Sequence, residues 1–225
     1  MVSRKITYLI LLLFLSINCY SQVNPIVYGG VDYFRNTGFK KNAYANINLG
    51  AQLLRWKFFA PEVGYEYHFG LVRNNEELNP VDSNARPPSI LDTRFSSHTF
   101  SVAPKIIFGN EEAAFVFIPQ YNFGKIRGRG DFLRDSGRQY YLVDQQIVKD
   151  NIHFCSFAAG VEGNFFDSQV LHFSLLIKYH LLNSEKILSQ IDFEESALNS
   201  FGGSADGIGI SFRVYLDLLQ LLQRK

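Results

Sequence analysis

The sequence predicts an all-β fold: an eight-stranded antiparallel up-and-down transmembrane β-barrel. Three observations carry this expectation. In residues 59–71, Phe59, Pro61, Val63, Tyr65, Tyr67, Phe69 and Leu71 alternate with Ala60, Glu62, Gly64, Glu66, His68 and Gly70, a period of two that only a strand sorts onto two faces. The apolar stripe is long and aromatic, while the other mixes tiny and ionisable residues, which suits lipid outside and a filled lumen inside. Finally, the pattern recurs in eight segments whose connections alternate between short and long.

The chain opens with an export signal. Arg4 and Lys5 precede a nearly unbroken apolar run over residues 6–17, too short for a flanked transmembrane helix. Cleavage is expected after Ser21, leaving residues 22–217 as the barrel and 218–225 as a short amphipathic tail. A lipid anchor on Cys19 is disfavoured because Ile17 and Asn18 supply no small residue before it. Once the signal is removed Cys155 is the lone cysteine, expected as a small apolar filler.

The strands follow in order. Val27, Gly29, Val31 and Tyr33 oppose Tyr28, Gly30 and Asp32. In the second, Ala43, Ala45, Ile47, Leu49, Ala51 and Leu53 oppose Asn42, Tyr44, Asn46, Asn48, Gly50 and Gln52. A tight link carrying Trp56 leads into the third strand, residues 59–71. Residues 72–97, polar and holding Pro80, Pro87 and Pro88, are expected as a long loop. The fourth strand sets Phe100, Val102, Ile106 and Phe108 against Ser101, Ala103 and Lys105, with a bulge expected at Pro104. After a turn at 109–112, Phe115, Phe117, Pro119, Tyr121 and Phe123 oppose Val116, Ile118, Gln120, Asn122 and Gly124.

Residues 125–151 are expected as a second long connection, in which residues 140–148 could extend a hairpin. Strand six sets Phe157, Ala159, Val161 and Phe165 against Ser156, Ala158, Gly160, Glu162 and Asn164. A short turn at 167–169 leads to strand seven, where Leu171, Phe173, Leu175, Ile177, Tyr179 and Leu181 oppose His172, Ser174, Lys178 and His180. Residues 183–206 form the third long connection. The last strand sets Ile208, Ile210, Phe212, Val214 and Leu216 against Gly209, Ser211, Arg213 and Tyr215.

Composition limits the partners. Lys plus Arg number 22 against 21 Asp plus Glu, so no global field favours nucleic acid. The 21 Phe and 12 Tyr suit a protein with interfacial aromatic girdles.

On the dyad pattern and connection lengths over residues 27–216, the chain resembles the small eight-stranded outer-membrane barrels of the OmpA/OmpX class. The resemblance implies a location in the bacterial outer membrane, short periplasmic turns and long extracellular loops. It also implies outer-membrane lipids, lipopolysaccharide and the barrel-insertion machinery as partners, and a possible extracellular ligand on the loops. The chain departs from that class at its end. Where such barrels finish on a terminal aromatic, this sequence runs past Tyr215 and Leu216 into Leu218, Leu219, Leu221 and Leu222, spaced for a short interfacial helix.

The expected lumen set is Asp32, Glu62, Glu66, His68, Lys105, Glu162, His172, Lys178, His180 and Arg213. An eight-stranded barrel is just wide enough for side chains to fill, so these charges must pair. The leading expectation is a non-enzymatic barrel with a plugged lumen and a structural or surface-interaction role. A narrow channel, or porin-like path for small solutes, is the alternative. A lipid A-modifying hydrolase is the second, because His172 and Ser174 form the H-x-S that the family's deacylases use. Leu171 and Leu175 lack those enzymes' flanking pattern, and the face points inward, so no catalytic residue is assigned. A soluble periplasmic barrel holding a lipid would reverse the two faces. His172 and His180 lie about 26 Å apart along one strand, so neither a metal site nor a cofactor is expected. Arg127, Arg129, Arg134 and Arg138 are a loop anion-binding candidate, since guanidinium grips phosphate bidentately.

Overall fold

A computed structural model describes residues 25–37, 42–76, 87–110, 112–164, 170–193 and 204–223. The expected signal, its cleavage point, Phe165 and the 167–169 turn lie outside them. Eight strands form a closed antiparallel barrel in sequence order: β1 (Ile26–Asn36), β2 (Ala43–Gln52), β3 (Phe59–Glu76), β4 (Ser89–Gly109), β5 (Ala113–Asp135), β6 (Tyr140–Gly163), β7 (Leu171–Leu181) and β8 (Gly207–Asp217). Closure runs through β1 and β8, where Val31 faces Phe212 and Gly29 faces Val214. Around the ring every strand is hydrogen-bonded to both neighbours, as a membrane-spanning sheet requires, while the ends of β3 and β6 that run past their second neighbour pair on one side.

The two faces divide as the alternation demands. Val31, Ile177 and Ile210 are 57%, 64% and 61% exposed, whereas Lys105, Lys178 and Arg213 are at most 1% exposed. In water this inversion would be ruinous, because each buried charge costs several kcal/mol and each exposed Ile or Phe forgoes its burial. In a bilayer the cost reverses. On β7, six outward residues from Leu171 to Leu181 cover 11 strand residues, about 25 Å of height at a usual strand tilt.

Two expected loops are largely strand. Residues 72–97 contribute the end of β3 and the start of β4, paired from Arg73↔Thr93 to Glu76↔Ile90, with Val72 unmatched at a register shift. Residues 125–151 are a β5–β6 hairpin paired out to Asp135↔Tyr140, with Val143 the extra residue where the register shifts beside Phe132. The polar composition hid this because the exposed side chains of the β5–β6 hairpin are largely polar or charged, while part of the inner face is apolar. Ile126, Phe132 and Ile152 on that face pack with Leu182, Ile187, Leu188, Ile191 and Phe193.

Those last residues belong to the β7–β8 connection, which contains the single-turn α1 (Glu185–Leu188). It folds into the mouth at the long-connection end as an apolar plug, joined there by Phe34, Tyr44, Phe95 and Phe154. Gln146 on β6 clamps it, donating to the Asp192 carbonyl and accepting from the Asp192 N–H.

At the opposite end the turns are short. Lys57 adopts φ 51° between Trp56 and Phe59, whose backbones exchange hydrogen bonds of 2.8 Å each way. Pro104 produces no bulge. Pro61 pairs with Pro104 in continuous register, and the β4–β5 ladder breaks after Val102↔Tyr121 and resumes at Ile106↔Phe117 unshifted. Pro104 and Pro119 lie abreast in that gap, and neither has an N–H to donate. After β8 the chain passes directly into α2 (Leu218–Gln223), on which Leu219, Leu221 and Leu222 are exposed.

Candidate functional site: the charged lumen and the outer basic band

The lumen residues are placed by alternation on strands that face one another across the barrel, and they form two clusters. Nearer the short turns, Glu62 on β3 is the hub. Arg213 Nη1 donates to its Oε2 at 3.1 Å and Tyr215 Oη to its Oε1 at 3.1 Å. Lys105 Nζ sits 3.2 Å from Glu62 Oε1 and 2.6 Å from Glu162 Oε2, and it donates to Gln52 Oε1 at 3.2 Å. Aromatic faces cover both cations, Lys105 lying 4.1 Å from the Tyr215 ring centroid and Arg213 5.0 Å from that of Tyr28. Two carboxylates meet two cations, so this cluster is neutral.

Room for Tyr28 comes from glycine. Gly50 and Gly64 pair across β2 and β3, and a Cβ on either would meet the Tyr28 hydroxyl at 2.5 or 2.6 Å. The phenol end of Tyr28 therefore occupies the space a side chain at either position would fill.

The second cluster is nearer the plug. Lys178 Nζ bridges Glu66 Oε1 at 2.6 Å and Asp32 Oδ2 at 3.2 Å. Asp32 also accepts from Asn46 and Asn48 at 2.8 and 2.9 Å, and Glu66 Oε1 accepts from Gln120 at 2.9 Å. Gln120 continues to Asn122, and Asn122 to Ser156. His68 and His180 meet here from opposite walls, ring centroids 5.0 Å apart. This corrects the expectation that no histidines share a site, because spacing along β7 says nothing of a meeting made across the lumen. Tyr28 and Tyr215, inward by alternation, join the network as well, Tyr215 through its hydroxyl on Glu62 and Tyr28 through its ring beneath Arg213.

His172 takes part in neither cluster. It is half-buried near the short-turn end, and the buried Ser174 hydroxyl makes no hydrogen bond. The nucleophile–base contact of an H-x-S hydrolase is therefore missing.

The arginine candidates separate. Arg127 and Arg129 lie on the outward face of β5, and Arg134 is on the same strand near the hairpin tip, its guanidinium 5.8 Å from the Phe132 ring centroid. Arg138 sits in the tip turn. They are strand and turn residues of one hairpin, not an extended loop, for the pairing reason given above. Register sets Arg94 beside Arg129 and Lys149 beside Arg127, so Arg94, Lys125, Arg127, Arg129 and Lys149 make an exposed basic band over β4 to β6. Acidic residues temper it, Asp92 holding Arg94 at 2.7 Å and Asp131 holding Arg129 at 2.9 Å. Immediately below run Tyr65, His98, Tyr121 and His153, joined in pairs by Tyr65 Oη–His98 Nδ1 at 2.5 Å and Tyr121 Oη–His153 Nδ1 at 3.2 Å. Aromatic groups with polar tips at the end of an apolar belt mark a membrane interface.

A closed antiparallel barrel with an apolar exterior and an ion-paired interior defines the chain as a small eight-stranded transmembrane β-barrel of the outer-membrane type. No protein-family model matches the sequence, and no curated protein does. Among solved structures it is similar to Neisserial surface protein A (NspA), at 9% identity over 88% of this chain and 99% of that one, TM-score 0.47. It is also similar to Ail of Yersinia pestis, solved with the heparin analogue sucrose octasulfate, at 12% identity over 86% and 96%, TM-score 0.38. A third is the N-terminal barrel domain of Pseudomonas aeruginosa OprF, at 6% identity over 88% and 98%, TM-score 0.37.

Proposed function

We propose that this protein is a non-enzymatic integral barrel of the bacterial outer membrane, closed to solutes, whose β5–β6 hairpin reaches beyond the membrane as an interaction surface. The observation that carries the reading is the inversion of faces. Greasy side chains cover the outside over a bilayer's thickness, while Asp32, Glu62, Glu66, Lys105, Glu162, Lys178 and Arg213 are turned inward and paired. The plug over one mouth and the ion pairs across the lumen favour a sealed structural element over a conduit. The basic band stands where lipid headgroups begin, and its closely spaced cations suit the phosphates of outer-leaflet lipid, including lipopolysaccharide.

The test is fractionation followed by gel mobility with and without boiling. The protein is expected in the outer-membrane fraction, migrating faster unboiled than boiled. Recovery in a detergent-free periplasmic extract would overturn the reading. For the band, the purified barrel in mixed micelles is expected to gain thermal stability when anionic phospholipid replaces zwitterionic lipid. Changing Lys125, Arg127 and Lys149 together to Gln should remove that gain, and an unchanged gain would sink the phosphate contact.

A further inference from the structure

We propose that Glu66, His68 and His180 form a buried binding site for a divalent transition-metal ion, with zinc the best fit. The residues come from two walls. Glu66 and His68 are two apart on β3 and so share its inward face, while His180 reaches them from β7. All three are at most 1% exposed, and their ligand atoms lie within 4.8 Å of one another.

The unmet valences point to one centre. Glu66 Oε1 is taken by Lys178 and Gln120, but its Oε2 has no hydrogen bond. His68 Nδ1 is 3.1 Å from Ser97 Oγ, but its Nε2 has no hydrogen bond and lies 3.2 Å from that same Glu66 Oε2. His180 has no hydrogen-bond partner on either ring nitrogen. Its ring is packed among Phe34, Phe154 and Tyr44, at centroid distances of 4.1, 5.6 and 6.3 Å. Leaving an imidazole unsatisfied in such surroundings costs about 1–3 kcal/mol.

Charge points the same way. Asp32 and Glu66 carry two negative charges against the single positive charge of Lys178, unlike the balanced cluster around Glu62. A proton on His68 would restore the balance yet leave both His180 nitrogens bare. One divalent ion answers both deficits.

The donor set also matches the chemistry. Two imidazoles and one carboxylate with an open fourth position is a zinc ligand set. Ligands at about 2.0–2.1 Å from a tetrahedral centre stand about 3.4 Å apart, so the three must draw in by on the order of 1 Å, a side-chain adjustment. The outer contacts suit the role. Ser97 accepting from His68 Nδ1–H leaves the Nε2 lone pair for the ion, and Lys178 with Gln120 fixes the far carboxylate oxygen. Phe34, Tyr44 and Phe154 also belong to the plug, so the ion must be captured as the barrel closes.

The mature chain would be refolded from urea into detergent micelles with zinc chloride or with EDTA, desalted, and its metal content measured. Folding is checked by mobility without boiling. About one zinc per folded barrel is expected, resistant to EDTA until the barrel is unfolded, and cobalt should give the intense visible bands of four-coordination. His180→Phe, which suits its aromatic surroundings, and Glu66→Gln should each lower bound zinc at least tenfold in barrels that still fold, while His172→Gln keeps it. A folded wild-type barrel without zinc, or one whose zinc His180→Phe retains in full, would overturn the proposal. Should Glu66→Gln fail to fold, His180→Phe alone decides.

Discussion

Arg213 on β8 donates to Glu62 on β3 at 3.1 Å across the lumen, although the two residues are 151 positions apart in the chain. Both are essentially removed from solvent. Glu62 also serves Lys105 and Tyr215, so this one carboxylate ties β3, β4 and β8 together.

Removing it should therefore be expensive. Glu62→Ala leaves Lys105 with Glu162 as its one carboxylate and Arg213 without its carboxylate, a loss of about 3–5 kcal/mol for a broken buried pair. Urea titration of the barrel in lipid vesicles should show the midpoint falling accordingly. Glu62→Ala combined with Arg213→Met should recover part of the loss, because no cation is then stranded. A double variant as unstable as the sum of the singles would contradict the pairing.

The outward face gives an opposite kind of test. Ile177 is 64% exposed, and on a water-soluble barrel Ile177→Arg would be nearly neutral. At the middle of a bilayer it should cost about 2–4 kcal/mol. Folding equilibria in vesicles would measure this, with Arg placed at exposed Tyr141 on the outer hairpin as the neutral control.

Cys155 offers a chemical version of that experiment. It is a free, exposed thiol on β6, facing outward beside Leu181 and Tyr121. In intact membranes it should resist a charged maleimide, because a thiol in hydrocarbon is neither reached nor ionised, and react once the barrel is unfolded in urea, while a water-soluble barrel would be labelled in its folded state. Rapid labelling by the charged reagent in membranes would place it in water.

Tyr28 over Gly64 tests packing within the lumen. Gly64→Ala forces the ring away from the backbone and should destabilise by about 1–3 kcal/mol, the usual range for overpacking. Pairing it with Tyr28→Leu should relieve the clash, so the double variant is expected to be more stable than the sum of its parts.

The plug predicts silence in electrical recordings. Wild-type barrel in planar bilayers should give no stepwise conductance. Leu188→Ala, at a residue wholly enclosed in the plug, should lower stability by about 2–5 kcal/mol without opening a path, because the Glu62 and Glu66 clusters still cross the lumen.

The chain by itself determined the strands and which way each side chain points. Alternation is local, and a shift by one residue would turn Glu62, Lys105 and Arg213 out into lipid. It was least informative where the lipid-facing stripe is lost, at the end of β3, the start of β4 and the β5–β6 hairpin, which look like loops in sequence while their backbones stay paired. Only the tertiary structure decided what meets across the lumen. His68 joins His180, Glu62 gathers three partners, and the β7–β8 connection folds inward as a plug, because closing the barrel sets β3 opposite β7 and β8 at distances that no spacing along the chain encodes.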